Sequence, residues 1–399
     1  MFLTIRFRTL QRFTYLVAAV ALIALIASQT INRSRPASTR QIRPIIQYVS
    51  DYDLGPALSA EAAVLIDVSS ATVLYGRNEH QKRPPASLTK IMTAILALER
   101  GNLDDLVTVG KSAIEVDGSA LEIEPGHQFR LSDLLGGLLL ESGNDAAVAI
   151  AEHLGKSQDG FVKLMNERAA ELGAWNTNFA NPSGFPAAGH YSSAFDLALI
   201  TMRALQIPAF RELVRTKEKE VENHQGDWTR LLQNTNKLLW SFEGADGVKT
   251  GTTTEAGECL VASATRDGWK LLAVVLKSKD RWKDAAALLD YGFGNFRPVD
   301  MVKSGEIVMR ARVKNGLADD VPVVTLEPLR LVLRKDETGW IVGMADVKPD
   351  LAAPVLPGEV CGKFRAFVGS EQMRTVDLIA VRGVERRTIW HNLRRWFGR

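Results

Sequence analysis

The chain has 399 residues, 46% hydrophobic and 24% charged, with a formal net charge of +3 at pH 7. That length accommodates two domains and a large core, and the composition excludes wholesale disorder and a multi-span membrane protein. The small, dispersed positive balance excludes nucleic acid as the expected partner, and neither the six histidines nor the two cysteines show metal-ligand spacing. Cys259 and Cys361 are far apart and form no CxxC pair. They are expected as two buried free thiols, with a single disulfide as the alternative.

Residues 1–29 open on Arg6, Arg8 and Arg12, followed by an apolar run from Tyr15 to Ala27. A basic head before an apolar stretch of this length reads as an export signal. An uncleaved anchor is the alternative, because Leu25 or Ile26 would occupy the cleavage position that prefers a small residue. Residues 30–50, rich in Arg, Ser and Pro, read as a linker. From Asp51 to Phe296 strand and helix patterns mix. Ala62 to Val68 and Thr72 to Tyr75, joined by Ser69-Ser70-Ala71, predict a hairpin. Helices are expected over Leu88 to Glu99 with Gly101 as C-cap, Ser132 to Leu140, and Asp145 to Leu154 capped by Gly155. Two more fall near Phe161 to Leu172 and Ala194 to Leu205. Strands return at Val248 to Thr252, Glu258 to Thr265 and Trp269 to Lys277, the last two joined by Arg266-Asp267-Gly268. Strands outside with helical runs between them predict an α/β domain over 51–296.

Residues 297–383 carry short strands only, such as Glu306 to Val313 and Pro328 to Leu333, separated by Gly, Pro and Asp-rich turns. A small all-β second domain is expected there. In residues 384–399 a helix would place Ile389, Trp390, Leu393, Trp396 and Phe397 on one face, with Arg386, Arg387, Arg394 and Arg395 away from its centre. A basic amphipathic helix ending in aromatics reads as lying on an anionic membrane surface. Docking on its own domain or a partner is the alternative.

Three short strings carry the chemistry. In Ser87-Leu88-Thr89-Lys90 the lysine lies one helical turn beyond the serine, so its amine can sit beside the hydroxyl at a helix N-terminus. As a base the lysine must be neutral, which from a reference pKa near 10.4 costs about 4–5 kcal/mol at pH 7 unless the site lowers it. Burial and a second cation both act in that direction, and Lys249 is the candidate cation. Ser142-Gly143-Asn144 lies between two helical runs, where a turn presents both side chains to a cleft. The serine can relay a proton and the asparagine can bind an amide, or Asn144 can cap the following helix. In Lys249-Thr250-Gly251 the lysine supplies charge and Gly251 permits close approach of a ligand. Alone, the first two strings are near chance frequency, and the third has roughly a tenth of a chance occurrence in such a chain. Their order and single occurrence make them a site.

With their flanks, these strings resemble the serine-type D-alanyl-D-alanine carboxypeptidases, the low-molecular-mass penicillin-binding proteins. Pro85-Ala-Ser-Leu-Thr-Lys-Ile-Met-Thr, Leu140-Glu-Ser-Gly-Asn-Asp-Ala, Tyr191-Ser-Ser-Ala-Phe-Asp-Leu-Ala, Gly247-Val-Lys-Thr-Gly-Thr and Ala256-Gly-Glu-Cys-Leu-Val-Ala-Ser-Ala-Thr all carry the resemblance. It implies an α/β (α+β) transpeptidase/β-lactamase-like domain with a helical subdomain, then a small all-β domain. It further implies removal of the terminal D-alanine from peptidoglycan stem pentapeptides, inhibition by β-lactams, and no cofactor. Ser87 would be the nucleophile, Lys90 its base and Ser142 the proton relay; Lys249, Thr250 and Gly251 would hold the carboxylate and Asn144 the peptide amide. Backbone amides of Ser87 and Thr252 would form the oxyanion hole, a term of about 2.7–4 kcal/mol per donor. Relatives often carry His after Lys-Thr-Gly, where this chain has Thr252. The expected location is outside the cytoplasm, on the periplasmic face of the inner membrane. A class A β-lactamase would add a deacylating glutamate in a Glu-x-x-Leu-Asn string, and no such string lies between Asn144 and Lys249. Endopeptidase or transpeptidase activity would use the same groups, and a catalytically idle peptidoglycan-binding module is the reading from another class.

Overall fold

The computed structural model describes residues 46–49 and 54–388. The expected export segment, and the tail face from Ile389 onward, lie outside the described residues. In chain order the first part contains β1 (Gln47–Tyr48), β2 (Ala62–Asp67), β3 (Thr72–Arg77), a 3-10 turn (Ala86–Thr89), α1 (Lys90–Arg100), β4 (Leu106–Thr108) and β5 (Gln128–Arg130). Five helices follow, α2 (Leu131–Leu140), α3 (Asn144–Gly155), α4 (Gln158–Leu172), α5 (Ala194–Ala204) and α6 (Pro208–Arg215). Next come β6 (Glu218–Glu222), β7 (Thr229–Gln233), α7 (Leu238–Ser241), β8 (Ala245–Thr253), β9 (Gly257–Arg266), β10 (Trp269–Ser278) and α8 (Arg281–Asn295).

A six-stranded sheet in the order β1-β3-β2-β10-β9-β8 organises this part. Its central strands are buried on both faces, which explains why they read as unbroken apolar runs rather than alternating ones. From β2, Val64 and Ile66 join the core under the helices, whereas Ala63 and Leu65 join a second core with Leu288 and Leu289 of α8. The hairpin β2–β3 and the turn between β9 and β10 form as expected. The linker expectation ends too late: Gln47 and Tyr48 pair in parallel with Thr72 and Val73. Helices α6 and α8 and the ribbons β4–β5 and β6–β7 form where the sequence predicts no element.

Gly101 is the C-cap of α1 as expected, whereas Gly155 is the last residue of α3 rather than its cap. Gly101 follows α1 but is extended, with φ −94° and ψ 161°. A Cβ there would lie 2.4 Å from Leu131 Cδ2, so this glycine serves close packing. Gly155 ends α3, and the left-handed residue is Lys156, φ 60°. A Cβ on Gly155 would meet the Phe161 amide nitrogen at 2.5 Å, because α4 packs against that point. Helix α1 runs through the centre, with every side chain from Lys90 to Ala97 buried. A helix enclosed on all sides removes its polar groups from water, and among the buried side chains from Lys90 to Ala97 only Lys90 is ionisable.

The second part is all β: β11 (Phe296–Val302), β12 (Ile307–Arg312), β13 (Asp320–Thr325), β14 (Leu329–Arg334), β15 (Ile341–Val347), β16 (Val360–Val368) and β17 (Glu371–Ala380). Strands β11 and β14 pair, and the others form a sheet ordered β12-β13-β17-β16-β15. Val321, Val323, Leu331, Phe364, Val376 and Leu378 share its core with Cys361. The buried Arg374 reaches back to the first part, donating from Nη1 to the Ser70 carbonyl at 3.2 Å. Both cysteines are buried and free, as expected. Among the described residues no helix is long and apolar enough to cross a membrane.

Candidate active site

The 3-10 turn and α1 are continuous, so Ser87 stands in the turn and Lys90 is the first residue of the helix. Ala86, just before the serine, takes the left-handed region at φ 48°, a costly conformation for a residue with a Cβ. Lys90 Nζ lies 3.0 Å from Ser87 Oγ, 2.6 Å from Asn144 Oδ1 and 2.7 Å from the Ser183 carbonyl oxygen. Two of these partners are acceptors only. A neutral amine gives them its two N–H groups and has its lone pair left for the Ser87 hydroxyl.

Burial lowers the pKa of Lys90 well below 10.5, and the charge of Lys249 adds to the effect while Asp145 opposes it. Asp145 is itself raised by burial, although its carboxylate accepts from the Leu121 and Ala146 amides at 2.8 Å each. Asn144 does not cap α3: its Nδ2 donates to the Asp117 carbonyl at 2.6 Å while its Oδ1 serves Lys90. Ser142 sits in the turn before α3, buried and left-handed at φ 68°. Among the described residues its hydroxyl makes no hydrogen bond to Ser87 or Lys90.

The third string lies on β8, the edge strand of the large sheet. Lys249 is buried, and its Nζ donates to the Thr250 carbonyl at 3.1 Å. Burial first, then the charge of Arg281, lowers its pKa from 10.5 to about 7. Thr250 Oγ1 lies 2.7 Å from Thr235 Oγ1. A Cβ on Gly251 would lie 3.0 Å from the Ser87 amide nitrogen and 3.1 Å from Ala86 Cβ. The strand thus runs directly alongside the turn that carries Ser87, bringing the Ser87 amide beside the segment holding Thr252. The Thr252 hydroxyl turns to Arg281, accepting from Nη2 at 2.6 Å.

Several residues that the sequence reading does not single out build this geometry. Arg281, at the start of α8, donates from Nη1 to the Gly251 and Cys259 carbonyls at 2.9 and 3.2 Å. Its signal is the Asp280 N-cap, which accepts from the Lys283 amide and opens α8. Ser183 contributes only a carbonyl, which no side-chain pattern reveals. Thr235 is seated by its backbone N–H, which donates to the Leu140 carbonyl at 3.0 Å, two residues before Ser142.

Residues 50–280 match the D-alanyl-D-alanine carboxypeptidase family, and residues 296–386 match the penicillin-binding protein 5, C-terminal domain family. The chain is 36% identical over 320 residues to the D-alanyl-D-alanine carboxypeptidase DacF of Bacillus subtilis (strain 168), covering 77% of this chain and 81% of that one. It resembles the crystal structure of penicillin binding protein 5 from Haemophilus influenzae with a TM-score of 0.74 and 30% identity, over 84% of this chain and 99% of that chain. A mutant of a Streptomyces DD-transpeptidase matches with a TM-score of 0.58 and 34% identity, over 60% of this chain and 99% of that chain. The fold is accordingly an α/β peptidase domain followed by an all-β domain, and the chain belongs to the D-alanyl-D-alanine carboxypeptidase family.

Proposed function

We propose that the chain removes the terminal D-alanine from peptidoglycan stem pentapeptides through a serine acyl-enzyme, and that β-lactams inhibit it by acylating the same serine. The observation that carries this reading is the Lys90 amine, desolvated and 3.0 Å from Ser87 Oγ, with two obligate acceptors taking its N–H groups. Ser87 Oγ attacks the carbonyl of the penultimate D-alanine and its proton passes to Lys90 Nζ. The tetrahedral intermediate collapses as the terminal D-alanine leaves with a proton relayed by way of Ser142. Water then cleaves the ester and restores the serine. Lys249, Thr250 and Gly251 receive the terminal carboxylate, Asn144 the peptide amide, and the amides of Ser87 and Thr252 the oxyanion.

In this reading 51–296 is the catalytic domain and 297–383 its β companion. Residues 1–29 direct or anchor the export, residues 30–50 link them to the enzyme, and 384–399 lie on the outer face of the bacterial inner membrane. The likeness to a DD-transpeptidase favours a second reading in which an amine replaces water. Incubating the purified chain with a stem pentapeptide, with and without an acceptor amine, separates the two. Free D-alanine and a shortened tetrapeptide are expected. Penicillin labelling without D-alanine release, or release only with the amine present, would overturn carboxypeptidase activity.

A further inference from the structure

His190 belongs to none of the three strings, yet it is buried against the turn that presents the nucleophile. Its Nε2 lies 2.8 Å from Thr89 Oγ1, and its Nδ1 lies 3.1 Å from the Ala180 amide nitrogen. A backbone N–H only donates, so Nδ1 must be bare and the ring proton must sit on Nε2. The direction of every later bond follows. Nε2–H donates to Thr89 Oγ1, and Thr89, fully buried, donates its own proton to the Ala86 carbonyl at 2.9 Å. Burial lowers the imidazole to about 4, so the ring is neutral at neutral pH.

The far end of this chain is the left-handed Ala86. Its carbonyl is also covered by Gly184, φ 85°, where a Cβ would lie 1.9 Å from the Ala86 oxygen. The near end is the loop that returns to Lys90, because Ala180 leads to Ser183, whose carbonyl accepts from Lys90 Nζ. One imidazole is therefore linked to the nucleophile's turn through Thr89 and to the base's loop through Ala180.

We propose that His190 is a positioning residue for acylation: its Nε2–H aims the Thr89 hydroxyl at the Ala86 carbonyl and so fixes the turn holding Ser87, while its Nδ1 ties down the loop that orients Lys90. This inference rests on Ser87 and Lys90 acting as proposed above.

The test is the second-order rate of benzylpenicillin acylation of the full chain, with active sites counted and Tm recorded. Thr89→Val and His190→Phe should each slow acylation by about tenfold or more, since a misplacement on the order of 1 Å is worth up to about a hundredfold. Thr89→Ser should stay within about threefold of the parent. The double variant should be no slower than the worse single one, because the two residues act in series. Parental rates in both single variants, or a double variant losing the product of the two, would overturn the proposal. Should the variants not fold, 15N NMR of the unaltered protein still decides: the neutral Nε2–H tautomer is expected, and an Nδ1–H or charged ring contradicts it. A parent chain inert to penicillin would instead sink the functional reading, leaving the tautomer to judge His190.

Discussion

Lys90 and Lys249 are two buried amines that lose protons for related reasons, and the order of the causes matters. For each, removal from water comes first and a neighbouring cation second: Lys249 for Lys90, and Arg281 for Lys249. Lys249 is held at about 7, so it changes charge within the working range of pH. The sign follows directly. Below about 7 the free enzyme carries an ammonium there, which the proposed reading assigns to the substrate carboxylate. Above it the amine is neutral and must take up a proton as substrate binds, so affinity falls by about tenfold per pH unit. KM for a D-Ala-D-Ala peptide, measured from acid to alkaline pH, should therefore rise through neutrality; a flat profile would remove Lys249 from the carboxylate site. The identities of these lysines are legible in the sequence, since both stand in short motifs. Their partners are not, because the Ser183 carbonyl and the tautomer of His190 are set by loop geometry.

At the scale of elements, the site is a contact between the edge strand β8 and the 3-10 turn before α1. Arg281 holds that strand from behind through the Gly251 carbonyl and the Thr252 hydroxyl. The contact depends on a missing side chain at Gly251, since an added Cβ would sit 3.0 Å from the Ser87 amide, with backbone that cannot turn away. Gly251→Ala should lower the penicillin acylation rate by about 10- to 100-fold with little change in Tm; an unaltered rate would mean that the strand stands off from the turn. Strands β2, β9 and β10 are legible because burial on both faces leaves continuous apolar runs. Helix α8 is harder to read, although Arg281, Asp284, Ala285, Leu288, Leu289 and Gly292 form its buried stripe. Gly292 and Gly294 weaken the local helical signal, and tertiary packing compensates: Gly292 lies flat against Leu271 of β10.

Over the whole molecule, the α/β part carries the site and the β part is joined to it partly through Arg374, which bonds Ser70 and Glu327. The division into an α/β part and an all-β part is legible from the change in pattern near Arg297, because strands without intervening helices need only turn residues between them. The basic aromatic tail makes a separate claim at this scale. Deleting the residues after Val384 should leave D-alanine release in solution intact and abolish sedimentation with anionic vesicles; unchanged sedimentation would move the attachment elsewhere. The central claim is that Ser87 is the nucleophile, and it is tested most directly by peptide mass spectrometry of the penicillin-treated chain. A single penicilloyl adduct on the peptide containing Ser87, lost in Ser87→Ala, is the expected result. An adduct on another residue, or none on a folded protein, would contradict it.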